Sequence, residues 1–209
     1  EKVTVYDLLA RFETEPPKDF APAARLFEIF KSQFLDVSVN QGLINLDNLA
    51  VSGDGTPVYT GARERKTRTC GCLEKGIRDC KCDRIYHQPD CNTGWDSHRE
   101  RHYFGYGLYT LTASDSENDL PLFPLLGPAS RHDSHGFWYN FFSMKQFLPQ
   151  ANVTKLLLDS AHDAMAYYQY CSEHGIKPFI DLNGKGGRPP VYKDDFTLGD
   201  DGVPVCREG

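Results

Sequence analysis

Val153-Thr154-Lys155-Leu156-Leu157-Leu158-Asp159-Ser160-Ala161-His162 is the stretch on which the reading of this chain turns. A short apolar run closed by an acid has the length of a strand, and its three consecutive leucines fit a strand buried on both faces, as in a parallel sheet covered by helices. Asp159 then stands at the carboxyl end of that strand, where open α/β sheets present functional groups. Upstream, Leu49 to Ser52 predicts a second short strand, ended by Asp54 within Ser52-Gly53-Asp54-Gly55-Thr56. Two aspartates far apart in sequence can therefore converge at one edge of a sheet.

Working outward, Ala161, Ala164, Met165, Tyr168 and Cys171 recur at helical spacing and stop at Gly175, after which Ile176 to Leu182 reads as a strand that Pro178 pushes towards an edge. Before the leucine run, His132-Asp133-Ser134 is a capping signal. Phe137, Phe141, Met144 and Leu148 follow on one helical face, closed by Pro149. His102 to Thr112 and Leu120 to Leu126 predict two strands joined by the polar turn Ser114 to Asp119. The first forty residues read as helical, with Ala23, Leu26, Phe27, Phe30 and Phe34 as the packing face. The chain thus divides into an N-terminal helical segment (1–45), an α/β core (46–183) with a cysteine-rich insert (63–94), and a Gly/Pro/Asp-rich stretch (184–209) that is a loop or the start of an insertion.

Of 209 residues, 40% are hydrophobic and 12% aromatic, enough for one substantial core. No apolar run reaches the length of a membrane span, and no signal segment opens the chain, so a soluble, intracellular protein is expected. The start at Glu1 without Met and the end at Glu208-Gly209 suggest a piece of a longer polypeptide. The formal charge is -6, yet Arg63 to Arg84 holds eight basic and four acidic residues, and that surplus leaves the remainder near -10. A local positive segment beside acids suits a phosphate backbone with cations nearby; a solvated loop is the alternative.

Paired aspartates at strand ends are suited to holding divalent cations for phosphoryl transfer, because Mg²⁺ takes oxygen ligands and keeps several waters. Asp159 also reads as a helix N-cap, and Gly53 and Gly55 permit close approach to Asp54. Asp133, His162 and Asp163 are accessory candidates. A Ser160-His162-Asp163 nucleophilic triad is disfavoured because neighbours on one turn seldom converge. Gly184-Lys185-Gly186-Gly187 lacks the spacing of a phosphate-binding loop.

Val51-Ser52-Gly53-Asp54-Gly55-Thr56 and Leu158-Asp159-Ser160-Ala161-His162-Asp163 resemble the two aspartate motifs of insertion-sequence DDE transposase catalytic domains. Gly94-Trp95-Asp96 followed by Tyr103-Phe104-Gly105-Tyr106, and Pro178-Phe179-Ile180-Asp181-Leu182-Asn183, extend the resemblance over Leu49 to Asn183. It implies a ribonuclease H-like mixed sheet flanked by helices, with the cysteine insert after the first strand, and an enzyme of the bacterial cytoplasm and nucleoid. It also implies DNA strand cleavage and transfer on transposon ends, with Asp54 and Asp159 sharing Mg²⁺ or Mn²⁺ in a homodimer. The family's third acid, usually a Glu on a later helix, has no clear counterpart. Glu173 reads as a surface residue, Asp194 and Asp195 lie in Gly/Pro-rich surroundings, and Glu208 stands at the end, so the third ligand is expected beyond Gly209. Two other classes fit the residues: a non-catalytic, zinc-dependent nucleic-acid-binding module, and a related metal-dependent nuclease or phosphohydrolase.

Within the insert, Cys70-Gly71-Cys72 and Cys80-Lys81-Cys82 form two close pairs, followed by His87 and Cys91. Four thiolates can hold tetrahedral Zn²⁺, and the odd total of seven cysteines argues against a disulfide framework. The one-residue spacing is tighter than usual, so zinc and free thiols stand side by side as readings. The surrounding Lys and Arg residues are candidates for DNA phosphates. Trp95 and Tyr103 are read first as core residues and second as stacking platforms for unpaired bases.

Overall fold

Antiparallel pairing carries β1 (Leu49–Tyr59) well past the aspartate expected to end it. The apolar run marks only its first residues; beyond Ser52 the strand is held by its ladder with β5 (Arg101–Ala113), in which Asp54 faces Thr110 and Tyr59 faces Gly105. The computed structural model describes residues 3–15, 24–61, 66–85 and 88–183, with two short strands, β9 (Phe196–Leu198) and β10 (Pro204–Cys206), further on. Most of the expected loop at 184–209, with Asp194, Asp195 and Glu208, lies outside the described residues, as do Ala23 and His87.

The main sheet is mixed. β4 (Asn92–Asp96) and β6 (Leu120–Pro128) both pair antiparallel with β5, β5 lies on β1, and β1 continues through β7 (Val153–Leu158) to β8 (Lys177–Ile180) in parallel register. Side-chain and backbone bonds between Asn92 and Ser130 tie β4 to the segment that follows β6. Prolines fall where the ladder tolerates them: Pro121, Pro124 and Pro128 in β6 and Pro178 in β8 are on outer strands, and Pro57 lies in the part of β1 beyond its pairing with β7. The insert forms a separate two-stranded ladder, β2 (Thr67–Arg68) with β3 (Arg84–Ile85).

Helices flank this sheet. The first, α1 (Val5–Thr14), starts at a capping box in which Thr4 and Asp7 bond each other's backbone, and it buries Leu8, Leu9 and Phe12. Next come α2 (Ala24–Phe30), a π-helical turn at Lys31–Leu35 and α3 (Asp36–Asn40). The central helix, α4 (Asp133–Phe147), is capped by the His132 ring, which accepts from the Ser134 N–H. It is buried on nearly every side because Tyr109 and Leu111 of the sheet, α1, α2 and α5 (Met165–Glu173) all press on it. Ring contacts record this: Phe12 to Tyr139 at 4.8 Å, Phe27 to Phe147 at 4.6 Å, and Trp138 to Tyr167 at 4.6 Å. Phe137, Trp138, Phe141 and Met144 are fully enclosed.

Three expectations change. Leu157 is 37% exposed and its β8 neighbour Phe179 is 55% exposed, so the leucine strand is buried on one face only among the described residues. In α5 the inward residues are Ala166, Tyr167, Tyr170 and Cys171 rather than Met165 and Tyr168, because a 3-10 turn, Ser160–His162, intervenes and resets the helical phase. Leu26 faces outward, while Phe27 carries the contact to Phe123 and Phe147. No helix among the described residues is long and apolar enough to cross a membrane.

Candidate functional site

Parallel register sets Ser52 of β1 beside Leu157 of β7, and Asp54 and Asp159 each follow two residues later. Asp54, inside β1, and Asp159, just past the end of β7, therefore stand at the same level on adjacent strands, and both line an open cleft of about 900 Å³. Asp54 is exposed, and its Oδ1 accepts from the Gly55 N–H at 2.7 Å. Asp159 caps the 3-10 turn, its Oδ1 accepting from the Ala161 N–H at 3.2 Å. The capping role and the cleft position hold together, since capping occupies only one carboxylate oxygen.

Asp133, the first residue of α4, supplies a third carboxylate to the cleft. Gly55 leaves the space its carboxylate occupies here: a Cβ at residue 55 would stand 2.2 Å from Asp133 Oδ1. Burial raises the Asp133 pKa above the ordinary 3.8, the His162 ring opposes the rise, and Asp54 adds to it. The acid at the helix start also meets the favourable end of the α4 dipole.

His162 is buried behind Asp159. Its Nδ1 lies 2.5 Å from Asp159 Oδ1 and its Nε2 2.9 Å from the Tyr109 hydroxyl. In the tautomer that carries its proton on Nδ1, the ring donates to the carboxylate and Nε2 accepts from Tyr109. Burial first, and then the charge of Tyr167 and the aspartates, pushes the Tyr109 hydroxyl well above its usual range, so it stays protonated as a donor. Ser160 and Asp163 take no part in this chain. Asp163 instead accepts from the Tyr168 hydroxyl at 3.0 Å and the Asn183 N–H at 2.8 Å, and it precedes the start of α5 at Met165.

Asp96 serves the β4–β5 turn. It accepts from the Tyr59 hydroxyl and the backbone of His98 and Arg99, and Tyr59 above all holds its carboxyl below the usual range. Tyr103 is a core residue as expected. Trp95 is not: it is 55% exposed on the cleft rim, with its ring 4.8 Å from that of His102. Glu173 ends α5 on the surface, bonded by Gln169. Tyr109 and the His162 bridge were not singled out in the sequence, where a lone tyrosine in an alternating strand carries no signal.

A second cluster lies in the insert. Cys70, Cys72, Cys80 and Cys82 bring their sulfurs within 4.8 Å of one another, and this group can bind a metal such as zinc. The Cys72 N–H first, and the neighbouring sulfurs after it, pull Cys70 down to about 7. Hydrogen bonding to Cys70 pushes Cys72 up to about 12. Cys91 does not join them; it is buried against the Gly105 carbonyl, 3.4 Å away. Among the described residues the three aspartates do not gather as closely as the four thiols.

No family model, no curated protein and no solved structure matches this chain.

Proposed function

We propose that this chain is the catalytic core of a DDE-type transposase, which cleaves and transfers DNA strands using Mg²⁺ or Mn²⁺ held between Asp54 and Asp159. The observation that carries the reading is the level placement of these two aspartates on adjacent parallel strands, opening on one cleft. The sheet order supports it as well: β6, β5, β1, β7 and β8 lie side by side, with β7 and β8 parallel to β1, as in a ribonuclease H-like sheet. Each aspartate commits one oxygen to the protein and keeps the other for a cation. Asp54 and Asp159 would hold the divalent cations, whose chemistry there would be activation of the attacking water or hydroxyl and stabilisation of the leaving oxygen. Asp133 lines the same cleft, and the basic insert would meet the DNA backbone.

Calorimetry with Mn²⁺ tests the site, using the chain and its Asp54→Asn and Asp159→Asn variants, alongside cleavage of an end-labelled duplex. Loss of the binding heat in both variants with the fold retained is the expected result. Undiminished binding in both overturns it. Cleavage without joining would favour a related nuclease. DNA binding that ignores Asp54→Asn and Mg²⁺ chelation but needs zinc would favour a non-catalytic binding module.

A further inference from the structure

The insert between β1 and β4 has little to hold it together by ordinary packing. Its ladder is two residues long on each arm, and its large apolar side chains Leu73 and Ile77 are 62% and 49% exposed. What closes it is a set of local bonds. Ile77 N–H donates to the Cys72 carbonyl at 2.9 Å, Gly76 turns the chain at φ +76°, and the Arg68 guanidinium donates to the Arg78 carbonyl. A segment this poor in buried apolar area needs a covalent or metal crosslink to hold one conformation.

The sulfurs provide the means. Continuing the register Thr67↔Ile85 and Arg68↔Arg84 inward would set Cys70 against Cys82 and Cys72 against Cys80. The short contacts are the diagonals instead: Cys70 to Cys80 at 3.5 Å and Cys72 to Cys82 at 3.6 Å. All four sulfurs thus gather about a common point rather than forming two opposed pairs. For a tetrahedral ion with Zn–S bonds of about 2.3 Å, neighbouring sulfurs stand roughly 3.8 Å apart, close to the observed contacts. Two independent disulfides would give no reason for the pairs to approach each other.

We infer that Cys70, Cys72, Cys80 and Cys82 form a structural Zn²⁺ site that staples the insert shut, a feature independent of the reaction proposed for the aspartates. Four thiols bind one Zn²⁺ and release four protons, leaving a site of net charge -2. Lys66, Arg68, Lys75, Arg78, Lys81 and Arg84 surround it in sequence and offset that charge. Because the four thiolates fill the coordination shell, the ion is a crosslink and not a catalyst. It fixes the arms that carry these cations, so zinc removal should loosen the basic segment without unfolding the sheet.

The test is metal content of the purified chain, followed by Co²⁺ substitution under reducing conditions. One zinc per chain, and a cobalt spectrum with thiolate charge-transfer bands of a tetrahedral all-sulfur site, are expected. The Cys72→Ser/Cys82→Ser variant should lose both, while Cys171→Ala, altered in the core and away from the cluster, should keep both. Limited proteolysis should cut the insert of the chelated protein and of the double variant, with the far-ultraviolet spectrum of the sheet retained. Four free thiols with no cobalt charge transfer would overturn the inference. So would a mass lowered by two disulfides in zinc-free protein, or an unaltered cobalt spectrum in the double variant.

Discussion

His162 Nδ1 stands 2.5 Å from Asp159 Oδ1 in a pocket where the ring is 1% exposed, so one side of a cleft carboxylate is fastened to the core. The opposite ring nitrogen is fastened in turn to Tyr109 on β5. Asp159, which lines the cleft, is thus oriented from behind through Oδ1, the arrangement by which outer groups orient a metal ligand.

His162→Ala should destabilise the chain by about 1–3 kcal/mol, since it leaves the buried Tyr109 hydroxyl without its acceptor. Denaturant unfolding measures this. If Asp159 holds a cation, the same change should weaken Mn²⁺ binding about 10- to 100-fold without abolishing it. Asp159→Asn should remove binding altogether.

Asp133 sets a pH dependence of stability. Its folded pKa lies above the ordinary value of 3.8, chiefly through burial, so the folded state binds the proton more tightly than the unfolded chain. The associated stability is fully present below 3.8 and is lost as pH rises through the folded value. Asp133→Asn removes this loss. Thermal unfolding should show the variant gaining on the parent protein at neutral pH, with the gain shrinking in acid.

Glycine substitutions should rank by what a new Cβ meets. At Gly105 it would stand 2.1 Å from the Val58 carbonyl oxygen, a backbone atom of the paired strand, so β1 and β5 must separate. Gly105→Ala should cost about 1–3 kcal/mol or more. At Gly55 the obstacle is the Asp133 carboxylate, which can rotate away, so Gly55→Ala should change stability less while moving Asp133 in the cleft. Gly61→Ala meets nothing within 4 Å and should be near neutral. Chemical denaturation of the three variants checks the order.

Trp138→Ala should cost about 3–5 kcal/mol, because the ring is fully buried against Phe137, Tyr167 and Tyr170. Its Nε1 finds no acceptor among the described residues, so Trp138→Phe should cost less: it removes an unsatisfied donor along with the lost contacts. Urea midpoints of the two variants measure the difference.

Much of the frame was legible in the chain because it rests on short-range chemistry. The run Leu156 to Leu158 ending in Asp159, the cap at His132, and the face carrying Phe137, Phe141 and Met144 are local patterns with local causes. The second half of β1 was not legible. Gly53, Asp54, Gly55 and Pro57 have weak strand preference, and they are extended only because β5 pairs with them along their length.

The same division holds at the site. Asp54, Asp159 and the two Cys-x-Cys pairs could be named from residue type and position, since aspartates that close apolar runs and paired thiols carry their chemistry with them, although Asp54 proves to lie inside β1. Which groups stand together was decided by the tertiary structure. Asp133 reaches Gly55 across more than seventy residues, His162 finds Tyr109 across an equally folded distance, and four sulfurs meet on the diagonal. The sequence by itself determined the local elements and the inventory of ligands. Only strand register and helix packing, which depend on contacts between distant segments, decided which of those ligands share a site.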